Sequence, residues 1–210
     1  MIILGLDTCL NACSVAVLDG DHVLARASEV MARGHQERLA PMAQAVMAQA
    51  GLPFDRLQRV GVTVGPGSFT GLRVGLAFAK GLAQALGVPA VGVGTLEALA
   101  AGEPGLAFAA IDARRDQVYL QGFEAGAPLM APDVLSLGTA VARLAEIAAG
   151  RDFTLIGSGA ALLAEAAPRA RIVPAEGVDP VAVARLAAAR AAAPPRPLYL
   201  RAPDARLPGA

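Results

Sequence analysis

Tryptophan is absent from this 210-residue chain, and histidine and cysteine occur only twice each. Lysine occurs once, at Lys80, so nearly all positive charge is arginine. Cys9 and Cys13 have no histidine cluster beside them and cannot complete a four-ligand zinc site. They read as small buried thiols of a reducing cytoplasm. Aromatic residues make up 4% and charged residues 17% of the chain, against about 25% charged in an average soluble domain. A hydrophobic share of 55% is the opposite of a disordered composition. Eighteen acids balance eighteen bases, so no global field draws the chain to nucleic acid or an anionic membrane. Contact with such a partner has to be local or made through another subunit. No uncharged apolar run reaches the roughly 18 residues of a membrane span. The opening "MIILGLDT" has no basic stretch before its apolar residues and meets an acid at Asp7. It reads as a buried first strand, not a signal peptide.

What is present is an ordered alternation of elements. "IILGLDT", "CSVAVLD" and "HVLARASE" read as a strand meander, punctuated near Gly20 and Asp21. In "HQERLAPMAQAVMAQAG", Leu39, Met42, Ala43, Val46, Met47 and Ala50 recur at helical spacing, and Gly51 is a natural stop. Pro41 either kinks this helix or marks its first turn. "RVGVTVG" reads as a buried parallel-type strand. A helix with Leu72, Gly75, Leu76, Ala79, Leu82, Ala83 and Leu86 on one face follows, then the strand "VPAVGV" and the short helix "GTLEALAAG". After "AGEPG" the order begins again. "LAFAAIDARRDQVYLQGFEAG" gives two strands around a polar turn. Helix, strand, helix, strand and helix follow through "PVAVARLAAARAAA", and the proline-rich end reads as an extended tail with frayed last residues. Two halves with one element order predict an α/β, duplicated ribonuclease-H-like fold with two subdomains, 1–102 and 103–210.

Chemistry has few places to sit. In "VGPGSFTG", Gly65, Gly67 and Gly71 permit close backbone approach, and Ser68 and Thr70 can cap a helix start. The loop is either a structural turn or an anion cradle at the helix N-terminus. It matches neither the P-loop nor the dinucleotide glycine pattern. Asp7 either holds a magnesium-bound phosphate or caps the turn after it. "DARRDQVY", with Asp112, Arg114 and Arg115, is either an active-site turn or a solvated hairpin. His35 stands alone at a helix start, where a capping or surface role is the commoner outcome. Gly71, Gly75 and Ala79 form a small-residue row that admits another helix, and Met42, Val46 and Met47 offer an adaptable face. The alternative is that both helices cover their own sheet.

Taken together, "GLDTCLNACSVAV", "GHQERLAPM", "GPGSFTGLRVGLAFAKGLA", "VPAVGVGTLEALA", "DARRDQVY" and the late "YLR" resemble the TsaB (YeaZ) family of tRNA threonylcarbamoyladenosine synthesis. The resemblance implies the duplicated fold of actin, sugar kinases and heat-shock ATPases. It also implies a non-catalytic cytoplasmic partner of the TsaD transferase and the TsaE ATPase, with a homodimer in isolation and tRNA met only through the complex. Partner contact is expected at residues 35–50 and 70–86, through His35, Leu39, Met42, Val46, Met47, Gly71, Leu72, Gly75, Ala79 and Leu82. No cofactor is expected on this chain alone, with ATP and metal on the partners; Asp7, Gly65 and Gly67 are the remaining nucleotide candidates. The His-x-x-x-His metal motif of TsaD falls here on Thr95 and Leu99, and leucine cannot ligate a metal. Asp112, Arg114 and Arg115 then take a place at the cleft between the halves, where Arg114 can pair with Asp7 or a partner's acid. The rival reading is an independent enzyme of the same superfamily. It would be either a small-molecule kinase binding ATP through Asp7, Gly65 and Gly67, or a peptidase using Ser68, Cys9 or Cys13 with His35.

Overall fold

A computed structural model describes residues 1–201. The expected fray at the C-terminal end lies outside the described residues. The first sheet holds β1 (Ile2–Asp7), β2 (Ala12–Asp19), β3 (His22–Val30), β4 (Arg59–Thr63) and β5 (Ala90–Val93) in the order β3-β2-β1-β4-β5. β1, β4 and β5 run parallel, and β2 and β3 are antiparallel additions. The second sheet repeats the plan. β6 (Leu106–Arg114) pairs antiparallel with β7 (Gln117–Glu124) and parallel with β10 (Phe153–Ile156), which pairs parallel with β11 (Ala170–Val173). Two short strands, β8 (Ala127–Pro128) and β9 (Asp133–Ser136), add to the far side of β7. This is the duplicated ribonuclease-H-like fold expected from the element order.

Helices α1 (His35–Gln49) and α2 (Phe69–Leu86) cover one face of the first sheet. Strand alternation sets the two faces. Leu4, Leu6, Val60 and Val62 point into a core with Leu39, Met42, Val46 and Met47 of α1 and Leu72 and Ala79 of α2. Ile3 and Gly5 point the other way, toward α6 (Pro180–Ala189). The placement of α6 is the main feature that local sequence patterns did not give. It comes late in the chain, yet it packs on β1, β2 and β4 of the first sheet. Gly5 and Gly61 are register partners on neighbouring strands. A Cβ on Gly5 would stand 2.7 Å from the Ala184 nitrogen, and one on Gly61 would stand 2.7 Å from Ala187 Cβ. The two glycines make the groove in which α6 lies.

Arginines fix the position of α6. Arg59 Nη1 donates to the carbonyls of Ala187 (2.7 Å), Ala188 (3.2 Å) and Arg190 (2.8 Å), satisfying the helix C-terminus. Arg190 donates to the Gly92 carbonyl at 2.7 Å and pairs with Glu97 of α3 (Thr95–Ala100). Together α3 and α6 fill the space between the sheets. The outer face of the second sheet is covered by α4 (Leu137–Ala148) and the single turn α5 (Ala160–Leu163). α5 is shorter than the sequence pattern suggested, and α6 ends at Ala189 rather than running to Ala193. Arg190 leaves helical geometry there, ahead of Pro194 and Pro195. Among the described residues, 191–201 form no regular element but return to the first half, with Leu198 N donating to Val64 O at 2.7 Å. Pro41 lies inside α1, on its exposed side, and does not start the helix.

Candidate functional site

The duplication brings two similar loops face to face. After β4 come Gly65, Pro66, Gly67 and Ser68; after β10 come Gly157, Ser158 and Gly159. Each loop leans on the end of the neighbouring parallel strand. Ser68 N donates to Cys9 O at 2.7 Å, and Gly159 N donates to Ala110 O at 3.0 Å. Each of those strands carries an aspartate that caps its own turn. Asp7 Oδ1 accepts from Cys9 N at 2.9 Å, and Asp112 Oδ1 accepts from Arg114 N at 2.7 Å. Between the loops lies a cleft of about 520 Å³, reached by Gly67, Ser68, Asp112, Arg114, Ser158 and Arg201 among others.

The sequence candidates divide at this cleft. Gly67, Asp112 and Arg114 line it; Asp7, Gly65 and Arg115 are not among its walls. Asp7 is fully buried, and its oxygens accept from Thr63 Oγ1 (2.6 Å), Cys9 N (2.9 Å) and Val178 N (3.3 Å). Burial pushes its carboxyl above the usual carboxylate range, against the pull of those hydrogen bonds. Such a group does not fit a magnesium-bound phosphate; it ties β1 to β4 and to the loop before α6. The glycines do not fit a phosphate cradle either. A Cβ on Gly65 would stand 2.7 Å from Leu72 Cδ1 and 2.8 Å from Leu198 O, and one on Gly67 would overlap the Cys9 carbonyl. The Ser68 amide donates to the Cys9 carbonyl, and Ser68 Oγ accepts from Gly71 N at 3.3 Å as the cap of α2.

Arg114 does not reach Asp7. Its guanidinium pairs with its own neighbour Asp112 at 3.1 Å and is 80% exposed. Arg114, Arg115 and Asp116 all have φ between 53° and 62°, the left-handed region, without a glycine among them. That tight turn sets Arg114 at the rim of the cleft. The segment is therefore both a hairpin and a cleft wall.

The helix faces require a correction. Gly71, Leu72, Gly75 and Ala79 are buried against their own sheet and do not offer a row to a partner. A Cβ on Gly75 would stand 2.6 Å from Thr8 Oγ1, and Thr8 Oγ1 donates to Gly71 O at 2.7 Å. Leu39, Met42, Val46 and Met47 face the same core, each 2% exposed or less. His35 is buried, with Nε2 3.2 Å from Leu10 O. Only Leu82 is half-exposed. Periodicity identified the buried stripes of both helices; it could not say that the sheet already fills them.

The other chemical candidates are engaged in structure. Cys9 Sγ lies 3.7 Å from Thr63 O, and burial pushes its thiol up to about 12. Cys13 is pushed up to about 11 by the same cause. Thr95 is buried at the start of α3 with its amide on Gly65 O at 2.9 Å, and Leu99 belongs to the core between the sheets. Among the described residues, no three His, Cys, Asp or Glu side chains are grouped as metal ligands, and no helix is long and apolar enough to cross a membrane. Sequence reasoning missed Ser158, Glu176 and Arg201 as cleft residues. Glu176 accepts from Asn11 Nδ2 at 3.1 Å across the two halves. The glycines around Ser158 were the available signal.

Comparison with known proteins agrees with this geometry. Residues 27–207 match the family described as TsaD, tRNA N6-adenosine threonylcarbamoyltransferase. An uncharacterised Mycobacterium tuberculosis protein is 34% identical over 206 residues, 97% of this chain and 93% of that protein. The tRNA threonylcarbamoyladenosine biosynthesis protein TsaB of Escherichia coli is 39% identical over 124 residues, 57% of this chain and 53% of TsaB. A crystal structure of a Pseudomonas aeruginosa protein, described as similar to the peptidase YeaZ, superposes with a TM-score of 0.83 at 30% identity. It covers 95% of this chain and 99% of that one. A Thermus thermophilus ROK hexokinase, at TM-score 0.52 and 17% identity, shares the fold alone. The chain belongs to the TsaD-type family, and within it to TsaB (YeaZ).

Proposed function

We propose that this chain is a non-catalytic subunit that binds and activates a TsaD-type transferase in tRNA threonylcarbamoyladenosine biosynthesis. The role in that biosynthesis rests on the TsaB relatives. One observation carries the subunit reading. Helix α1 has no charged residue from Ala40 to its end, yet it exposes Ala40, Pro41, Gln44, Ala45, Ala48 and Gln49. An exposed helix face normally carries charge. The neighbouring α2 contributes the exposed small residues Ala77, Gly81 and Ala85. This smooth outer face, not the buried stripes beneath it, is the docking surface we assign to the transferase. In isolation it would serve as an isologous contact between two copies of the chain.

On this reading residues 1–102 supply the partner surface, and the described residues from 103 onward complete the core through α6 and form the far wall of the cleft. ATP and metal belong to the transferase and the TsaE ATPase, and tRNA reaches this chain in the cytoplasm through the complex. The rival readings fare worse on the geometry. A kinase needs Asp7 open to a phosphate, and Asp7 is sealed. A peptidase needs a nucleophile on His35, and the His35 ring is held on a backbone carbonyl while Ser68 caps α2. The test is co-elution with the TsaD-type transferase of the same organism. Ala45→Arg and Gly81→Arg, at exposed positions, should leave the thermal midpoint in place and abolish the complex. Persistence of the complex in both variants would remove this face from the interface.

A further inference from the structure

The chain as a whole is electrically neutral, but two touching segments are not. Helix α2 contains Arg73 and Lys80 and no acid. Residues 191–201 contain Arg196 and Arg201 and no acid. They meet in an exposed cluster. Phe69 is 51% and Tyr199 48% exposed, and their ring centroids lie 5.6 Å apart. The Arg73 guanidinium lies 3.7 Å from the Phe69 ring centroid, and its Nε is 3.5 Å from Tyr199 Oη. With Arg73 laid on Phe69, the platform offers solvent a tyrosine ring beside a guanidinium plane.

This cluster lies on the flank of α2 away from Gly81 and Ala85 of the partner face, with Ala77 between the two. At about 100° per residue, Phe69, Arg73 and Lys80 fall within about 40° of one another on α2. Val74, Phe78, Gly81 and Ala85 fall on the opposite flank. Lys80 lies beside Ala192–Pro195, which fixes the first flank as the one under the C-terminal segment. The platform also adjoins the cleft. Ser68 precedes Phe69, Arg201 follows Tyr199 by two residues, and both line the cleft with Arg114.

We infer that this platform holds an unpaired base of an RNA strand, with the exposed Arg196 placed for a flanking phosphate, while Arg201 donates to Gln117 Oε1 at the cleft edge. Exposed aromatic rings and guanidinium planes are the surfaces on which splayed-out bases stack. Arg73, Lys80 and Arg196, on segments that contain no acid, supply a local attraction that the neutral chain as a whole lacks. The inference deepens the proposed function, because it gives this chain its own contact with the RNA that the complex modifies.

The probe is a fluorescein-labelled anticodon stem-loop RNA, titrated with the full chain alone and with the chain bound to its transferase. A blunt RNA duplex of equal length and a polyglutamate peptide serve as competitors. Tyr199→Ala and Phe69→Ala should each weaken stem-loop binding roughly tenfold. Tyr199→Phe should keep most of it, and Arg196→Ala should flatten the salt dependence. Competition by the duplex should be weaker than by unlabelled stem-loop. Equal binding by wild type and both alanine variants overturns the inference, as does stronger competition by polyglutamate, which would mark an acidic protein as the occupant. Unchanged co-elution with the transferase in these variants separates failure of the platform from failure of the subunit reading. If no complex forms with the wild type, titration of the chain alone still reads the platform.

Discussion

Substituting Gly75 by alanine gives a direct reading of which way helix α2 faces. At an exposed position, glycine to alanine in mid-helix gains about 1 kcal/mol. Here the new Cβ would stand 2.6 Å from Thr8 Oγ1, with Leu6 Cδ1 and Val62 Cγ2 at 3.5 Å. The threonine hydroxyl is held by its 2.7 Å bond to Gly71 O. To admit the methyl, either that bond breaks, costing about 1 kcal/mol, or the helix lifts from the sheet, at an overpacking cost of about 1–3 kcal/mol. The net expectation is a loss of about 1–3 kcal/mol, or about 2–12 °C in thermal midpoint for a chain of this size. Thr8→Ala removes the obstructing oxygen. Urea denaturation of the two single variants and the double should therefore show positive coupling of about 1 kcal/mol or more. A Gly75→Ala variant more stable than wild type, or strict additivity in the cycle, would refute the inward orientation of the glycine row.

Other outcomes follow from the same contacts. Asp7 has its folded-state pKa raised by burial above 3.8, so the folded protein binds more protons there than the unfolded chain. Its contribution to stability is then fullest in acid and falls as pH rises from about 4 through the raised pKa. The stability of wild type relative to Asp7→Asn, followed by urea denaturation, should decline with pH over that window; a rise would contradict the burial argument. Cys9 and Cys13, buried and with thiols pushed up to about 12 and about 11, should resist iodoacetamide in native buffer at pH 8 and react only in denaturant. Rapid native labelling would show an opening that the packing denies. Arg59→Ala should cost about 1.5–3 kcal/mol by freeing the α6 carbonyls, and a loss below about 0.5 kcal/mol would show that α6 is held by its apolar face alone. Arg114→Ala breaks an ion pair whose arginine is 80% exposed, so stability should move by no more than about 0.5 kcal/mol. Reconstituted transfer activity should fall if the cleft rim is used, and full activity would return the hairpin to a solvated loop.

The fold was largely legible because its signals are local. Apolar runs marked β1, ended by Asp7, and β4 and β10, ended by glycine, and the buried stripes of α1 and α2 were read residue by residue. β8 and β9 escaped because strands of two and four residues are too short to show a period. The seat of α6 escaped because it depends on Gly5 and Gly61, far away in sequence, and only their adjacency across two strands reveals a groove. The site was legible in position but not in direction. Gly67, Asp112 and Arg114 do meet at one cleft. Asp7 and Gly65 carried the same sequence signal, yet they are consumed by Thr63, Val178 and Leu198. No local pattern distinguishes a carboxylate facing a cavity from one facing three backbone or hydroxyl donors. The interface residues were misassigned for a related reason: a helical stripe shows that something covers it, not what does.

On the proposed reading, this chain acts through a transferase rather than by chemistry of its own. The most direct measurement is the passage of a labelled threonylcarbamoyl group from its adenylate donor, with loss of AMP, to unmodified tRNA by the TsaD-type transferase of the same organism, with TsaE and ATP present. Transfer should be negligible without this chain, full with it, and lost with Ala45→Arg. Full transfer in its absence, or transfer by this chain with no transferase present, would contradict it.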